Sequence, residues 1–340
     1  MRWLRVAAAT TAAVLLARRV LARSRPFDLT GRVVAITGGG RGLGLEVARE
    51  AAGRGAKLAL IARSPGELAA AQRELAASGT AVATAVADVR DQAALAAAFA
   101  SIVDALGPID VLINVAGVIE VGPIDALSLG DYVEAIDINY LGAVRAVEAV
   151  LPAMRARGTG RIVNISSVGG AIVVPHLVPY CASKFALRAY SEGLRAESLR
   201  DGIVVTTVLP GLMRTGSPPH ATFSGRTKSE YALFAVSDAL PILSLPVARA
   251  ARAIVDAVER GDAELVIGWP AKLAAGAYAR APRTVMRAMS LLARALPKGG
   301  PSPQRRSGFE SESPLTQSPL TALSRRATER QNEALDPTAR

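Results

Sequence analysis

Cysteine and histidine are nearly absent. Among 340 residues there is one cysteine, Cys181, and there are two histidines, His176 and His220. A lone cysteine excludes an intrachain disulfide and suits a reducing compartment. Three such side chains cannot build a His/Cys cluster of the usual ligand spacing, so no metal is expected. Aromatics make up only 4 % of the chain, and alanine supplies much of its 50 % apolar content. Small residues of that kind favour helices packed closely on a sheet. No membrane-spanning run is visible near the start. Val6–Ala17 is uncharged for twelve residues, short of the roughly twenty a span requires.

Acidic residues are missing from two stretches. Residues 1–25 carry six arginines and no acid, and residues 272–306 carry eight Lys/Arg and no acid. With these flanks and the slightly acidic tail set aside, the net charge of +11 leaves about −2 for residues 26–271. A near-neutral centre argues against a nucleic-acid face and directs the basic flanks towards anionic membrane lipid. Arg18 and Arg19 separate the apolar run from Val20 and Ala22, where a signal peptide would be cut. Residues 1–29 therefore read as a retained interfacial anchor helix, with a frayed surface helix as the plainer alternative. The expected location is cytoplasmic, on the cytoplasmic face of a membrane.

What is present alternates. Apolar runs at Val33–Thr37, Leu58–Ala62, Ala81–Val86, Val111–Ile113, Ile162–Ile165, Val204–Val208 and Glu264–Ile267 read as strands. Helical patterns lie between them, including one long helix over Asp131–Arg155. This predicts an α/β fold, a single Rossmann-type doubly wound parallel sheet of about seven strands with helices on both faces, over residues 30–268. Residues 269–297 read as one amphipathic basic helix. Arg280, Arg287 and Arg294 mark its polar side, and Val285, Met289, Leu292 and Leu296 its apolar line. Membrane contact through residues 272–297 and packing on a second subunit are both open for it. Residues 298–340, rich in Pro, Ser and Gly, read as a disordered tail.

The chemistry begins at "ITGGGRGLG", residues 36–44. Gly38 permits a tight turn, Gly42 close approach of a pyrophosphate, and Gly44 packing of the helix on the strand. The helix N-terminus then offers free amides to phosphate. An NAD site would carry an acid about twenty residues further on. Arg63 stands there with Ser64, and Arg41 lies inside the loop, which suits the 2′-phosphate of NADP(H). In "NISSVGGAIVVPHLVPYCASK", residues 164–184, Tyr180 and Lys184 share one helix face. The ammonium is expected to lower the phenol pKa towards neutrality, making Tyr180 an acid–base group. Ser167 ends a strand, where its hydroxyl would meet a substrate oxygen. Cys181 reads as core packing, and His176 as a loop residue near the substrate.

These motifs resemble the short-chain dehydrogenase/reductase family over roughly residues 30–268. The resemblance is carried by Thr37-Gly38-x-x-x-Gly42-x-Gly44, Asp88-Val89, Asn114-Val115-Ala116-Gly117, Asn139, Ser167, Tyr180-x-x-x-Lys184 and Pro210-Gly211. Val115 departs from the family, which usually has a second asparagine there. The resemblance implies hydride exchange between NADP(H), ahead of NAD(H), and an alcohol–carbonyl pair. Catalysis falls to Asn139, Ser167, Tyr180 and Lys184, with Asn139 holding a water that links Lys184 to solvent. Phosphates lie along Gly38, Gly40, Arg41, Gly42, Leu43 and Gly44, and the adenine beside Asp88 and Val89. Asn114, Ala116 and Gly117 support the sheet next to the cofactor, and Pro210, Gly211 and Thr215 meet the nicotinamide side. A homodimer or homotetramer is implied.

The segment Leu212–Leu245 is expected to close over a hydrophobic substrate. Phe223, Tyr231, Leu233 and Phe234, with Ile172, Val174, Pro175 and Leu177, point to a lipid-, retinoid- or steroid-like molecule. Two alternatives stay open: a non-catalytic NADP(H)-binding scaffold or sensor, and an epimerase or dehydratase of the same family.

Overall fold

The computed structural model describes residues 26–299, 305–318 and 321–333; the expected N-terminal anchor lies outside them. Its centre is a seven-stranded sheet of β1 (Val33–Thr37), β2 (Lys57–Ala62), β3 (Val82–Val86), β4 (Ile109–Asn114), β6 (Gly160–Ile165), β7 (Ile203–Pro210) and β11 (Glu264–Ile267). The spatial order is β11-β7-β6-β4-β1-β2-β3, and every pairing is parallel. Successive strand residues face opposite layers. Val34 and Ile36 meet α1 (Gly42–Gly53), α2 (Pro65–Ala77) and α9 (Val247–Arg260) in one core. Val33 and Ala35 meet α3 (Gln92–Leu106) and α5 (Gly142–Arg157) in the other, with α6 (Val178–Ser198) packed alongside. The doubly wound reading of the sequence therefore holds.

The helix expected over Asp131–Arg155 is interrupted. It runs as α4 (Leu129–Ile136), a π-helical turn over Asp137–Leu141, and then α5. One extra residue in the turn displaces the ladder at Asn139; such bulges concentrate at functional sites. Between β7 and β11 lies a cap of β8 (Leu212–Arg214), α7 (Ser217–His220), β9 (Thr222–Phe223), α8 (Thr227–Ala239) and β10 (Ser244–Pro246). The short strand β5 (Glu120–Val121) pairs with β9 and joins this cap to the main sheet.

Two expectations for the C-terminal flank are corrected. The single basic helix is two, α10 (Trp269–Arg280) and α11 (Pro282–Ala295), broken at Ala281. Proline lacks an amide and disfavours helical geometry in the residue before it, and Ala281 accordingly leaves the helical region, with φ −140° and ψ 60°. No residue of α11 is buried. The tail is not uniformly irregular either. β12 (Arg306–Ser307) pairs antiparallel with β9, and α12 (Ala322–Arg330) packs on α8. Its composition alone could not form a core, but a finished surface supplies one. Among the described residues, no helix is long and apolar enough to cross a membrane.

Candidate active site

The sheet order reverses at β1, which has β2 on one side and β4 on the other, so a crevice opens at the carboxyl ends of those strands. The glycine loop lines it. Gly38 has φ +72°, and a Cβ there would lie 2.9 Å from Ala116 Cα. A Cβ on Gly44 would collide with the Gly38 carbonyl. Only glycine lets the loop fold this tightly against itself and against the end of β4. Arg41, extended at the N-cap of α1, provides no side-chain cap, so the loop's own side chains do not compete with a ligand for the first-turn amides. A close glycine cradle, a helix N-terminus and nearby guanidiniums are the donor set that a dinucleotide diphosphate needs.

From this loop a cavity of about 1440 Å³ runs to Tyr180 and Lys184. Arg41, Arg63, Ser64, Asp88 and Val89 line its outer end. Arg41 Nε lies 3.8 Å from Glu67 Oε2, and Arg63 Nη1 lies 3.9 Å from Asp88 Oδ2. Asp88 is chiefly held by Arg90, whose Nη2 donates at 2.7 Å and keeps the carboxyl below its usual range. Sequence reasoning overlooked Glu67 and Arg73, which share this lining. Ser64 caps α2 by accepting the Glu67 amide at 3.3 Å. That Ser-x-x-Glu spacing is a helix-start signature that could have flagged Glu67.

At the inner end Ser167 follows β6 and caps a short 3-10 turn, its hydroxyl accepting the Gly169 amide at 3.0 Å. Its hydroxyl also acts to lower the pKa of the Tyr180 phenol. Lys184 Nζ lies 5.7 Å from the Tyr180 ring centre and donates to the Ile165 carbonyl at 3.0 Å. The expected lowering of the phenol pKa is not what this geometry produces. Burial dominates and pushes Tyr180 up to about 12, against the lowering by Ser167, and it pushes Lys184 down to about 8. Both charged forms lose hydration here.

Thr37, Asn114 and Asn139 stand behind the cavity wall instead of lining it. Asn139 accepts the Val118 amide at 2.7 Å and donates to the Val118 carbonyl at 3.0 Å and Ser183 Oγ at 2.9 Å. The side chain that the resemblance gives to a water is thus committed to protein. Thr37 donates to Asn114 at 3.3 Å, Asn114 to Asn164 at 2.9 Å and Asn164 to Ser191 at 3.1 Å, with Thr207 donating to Ser191 at 2.8 Å. All five are buried. Gly40, Leu43, Ala116, Gly117, Pro210, Gly211 and Thr215 line the cavity.

The aromatic lining expected of the cap does not materialise. Phe223, Tyr231 and Phe234 pack with Val121, Ala235 and Leu177 in a third small core. Leu233 points to solvent, and Ile172 is buried away from the cavity. Packed on one another, these aromatics hold the cap down. The apolar walls near Tyr180 come instead from Val118, Ile119 and Met213. Cys181 is buried, as expected, its sulfur accepting the Val174 amide at 3.5 Å. His176 is held by Glu230 and does not line the cavity.

Sheet, crevice and the Ser–Tyr–Lys group together define a Rossmann-type oxidoreductase fold. The model of the short chain dehydrogenase family matches residues 32–221, and the chain belongs to that family. It is 36 % identical over 245 residues to the Mycobacterium tuberculosis protein called "Putative oxidoreductase SadH", covering 71 % of this chain and 88 % of that protein. It is 39 % identical over 201 residues to the 3-dehydrosphinganine reductase TSC10B of Arabidopsis thaliana, covering 58 % and 60 %. Among solved structures it is similar to a gluconate 5-dehydrogenase from Burkholderia cenocepacia in complex with NADP and tartrate. The TM-score there is 0.64 at 28 % identity, covering 75 % of this chain and 99 % of that one.

Proposed function

We propose that this protein is an NADP(H)-dependent oxidoreductase that interconverts an alcohol and a ketone or aldehyde. The observation that carries the reading is one cavity with the glycine cradle and two arginines at one end and Ser167, Tyr180 and Lys184 at the other. When bound, NADPH supplies a hydride to the carbonyl carbon. Ser167 and Tyr180 hold the carbonyl oxygen between their hydroxyls. Tyr180 delivers the proton as negative charge builds on that oxygen; an alkoxide is far more basic than a phenolate, so even a phenol near 12 gives its proton readily. Lys184 presents its ammonium beneath the phenol, and Asn139 positions Val118 and α6 around it. Thr37 and Asn114 fix the loop's floor, and Arg41, Arg63 and Ser64 form the 2′-phosphate end.

For the substrate we propose a hydrophobic, lipid-like carbonyl compound. Support comes from the apolar Val118, Ile119 and Met213 walls, from the basic flanks, and from the similarity to a dehydrosphinganine reductase. Peripheral contact with anionic membrane through residues 1–25 and α10–α11 belongs to the same proposal. Trp269, Leu273 and Leu291 stand exposed there among basic residues. Self-association is part of it too, since Ile124, Leu129 and Val133 are each exposed apolar side chains; a monomeric mass in solution light scattering would remove that element. NADPH oxidation measured against a panel of ketones and aldehydes of rising chain length tests the reading. Turnover that climbs with chain length is expected. Tight NADPH binding with no turnover would favour the scaffold alternative.

A further inference from the structure

The tail returns to the cofactor loop. From β12 on the cap edge, where Arg305 pairs with Glu134 and lies 3.7 Å from Asp131, the chain reaches α12. That helix is fastened to α8, Ser324 Oγ donating to the buried Asp238 carboxylate at 3.3 Å. Beyond it, Gln331 meets the glycine loop, and Asn332 and Glu333 enter the dinucleotide crevice. The Gly42 amide, at the first turn of α1, donates to the Gln331 carbonyl at 2.9 Å. Asn332, in a left-handed conformation with φ +56°, donates to the Gly40 carbonyl at 2.9 Å and the Glu67 carbonyl at 3.1 Å. Arg49 reaches the Arg330 carbonyl at 3.0 Å, and His220 Nε2 donates to the Glu333 carbonyl at 3.0 Å. The Glu333 carboxylate is buried against Gly42 and Gly216, with Oε2 lacking a hydrogen-bond partner.

We propose that the C-terminal segment is an autoinhibitory strap: Gln331, Asn332 and Glu333 occupy the phosphate end of the cofactor crevice and are displaced when the dinucleotide binds. The proposal rests on reading that crevice as the NADP(H) site. The Glu333 carboxyl stands at the α1 N-terminus where a phosphate would, but burial outweighs the favourable helix dipole and pushes its pKa up to about 7, so its charge opposes docking. The Gly42 amide has one proton to donate, so tail and diphosphate compete for it. Docking is built to be reversible. The hydrogen bonds of Gln331 and Asn332 favour it, and the unpartnered Glu333 oxygen opposes it, since a buried polar atom without a partner costs free energy. The competitor's apparent affinity is reduced by the fraction of molecules with the tail out.

Hydrogen–deuterium exchange on the full chain, with and without NADPH, tests this. The expected result is protection of residues 38–44 together with faster exchange in residues 321–333. Loop protection with an unchanged or slower tail would overturn the strap. No change in either would overturn the cofactor reading, and the strap with it. Two substitutions predict opposite signs in NADPH affinity measured by cofactor fluorescence. Asn332→Ala loosens the strap and tightens NADPH by about tenfold. Glu333→Gln removes the buried charge, seats the strap more firmly and weakens NADPH. Shifts of the same sign, or none, would refute the competition.

Discussion

His176 Nδ1 lies 3.0 Å from each carboxylate oxygen of Glu230. The pair ties the loop ahead of Tyr180 to helix α8 of the cap, and Glu230 is almost fully buried. His176 holds φ +66°, a conformation that non-glycine residues rarely adopt. Losing the pair should free the loop and the cap together. Glu230→Ala is expected to raise KM for the carbonyl substrate roughly tenfold with a smaller effect on kcat, since substrate closure and not chemistry is impaired. Steady-state kinetics check this; an equal loss in both constants would place His176 in the chemistry.

Tyr180→Phe should lower kcat by about 10²- to 10⁴-fold while NADPH affinity stays within about twofold. The pH profile has a sign. Reduction needs the phenol, which burial keeps protonated up to about 12, so its rate should be flat across neutral pH. Oxidation needs the phenolate, so its rate should rise with pH. Lys184 loses its charge above about 8, which withdraws support from the phenolate and flattens that rise. An oxidation rate that falls from pH 7 to 9 would contradict the assignment.

Arg63→Asp should shift preference from NADPH towards NADH by about 10- to 100-fold, the worth of one charge-assisted contact. Arg63 is exposed and its ion pair with Asp88 is long, at 3.9 Å, so little else depends on it. Ratios of kcat/KM for the two cofactors report the outcome, and an unchanged ratio removes Arg63 from the 2′-phosphate site.

Glu120 is buried, and both its carboxylate oxygens lack partners. Burial pushes its pKa from 4.5 up to about 7. Between those values the folded form binds the proton more tightly than the unfolded chain, so stability falls as pH rises through the window and the penalty is complete above it. Glu120→Gln should therefore stabilise the protein by about 1–3 kcal/mol near pH 8, and give no such gain near pH 4. Thermal melts at the two pH values check the sign.

Reversing charge on α11, with Arg287→Glu and Arg294→Glu, should weaken sedimentation with phosphatidylserine vesicles. Each basic residue near an anionic surface contributes about 1 kcal/mol, and none on this helix is buried. Unchanged sedimentation would move the membrane contact elsewhere in the chain.

Most of the sheet was legible because its strands are short apolar runs between amphipathic helices. The glycine loop, Tyr180 and Lys184 were legible because fixed spacing translates directly into one turn and one helix face. The break at Ala281 was written in Pro282 but masked by a continuous apolar line. The π turn at Asn139 left no local sign, since an extra residue in a helix shows only in the backbone. The phenol and the ammonium were misjudged because spacing reports proximity, whereas burial set their pKa values. The strap was illegible for a related reason: Gln331, Asn332 and Glu333 look like any polar tail until the surface that receives them is in place.

Thr37, Asn114, Asn164 and Thr207 are register partners across β1, β4, β6 and β7. Their side chains meet one another or Ser191 of α6 inside an otherwise apolar layer. A slip of one residue in any of the four strands would turn its polar side chain to the other face of the sheet and leave its neighbour unpaired in the core. The row therefore penalises a misaligned sheet, and in the aligned one it sets the height at which the glycine loop and the Ser167 turn leave their strands.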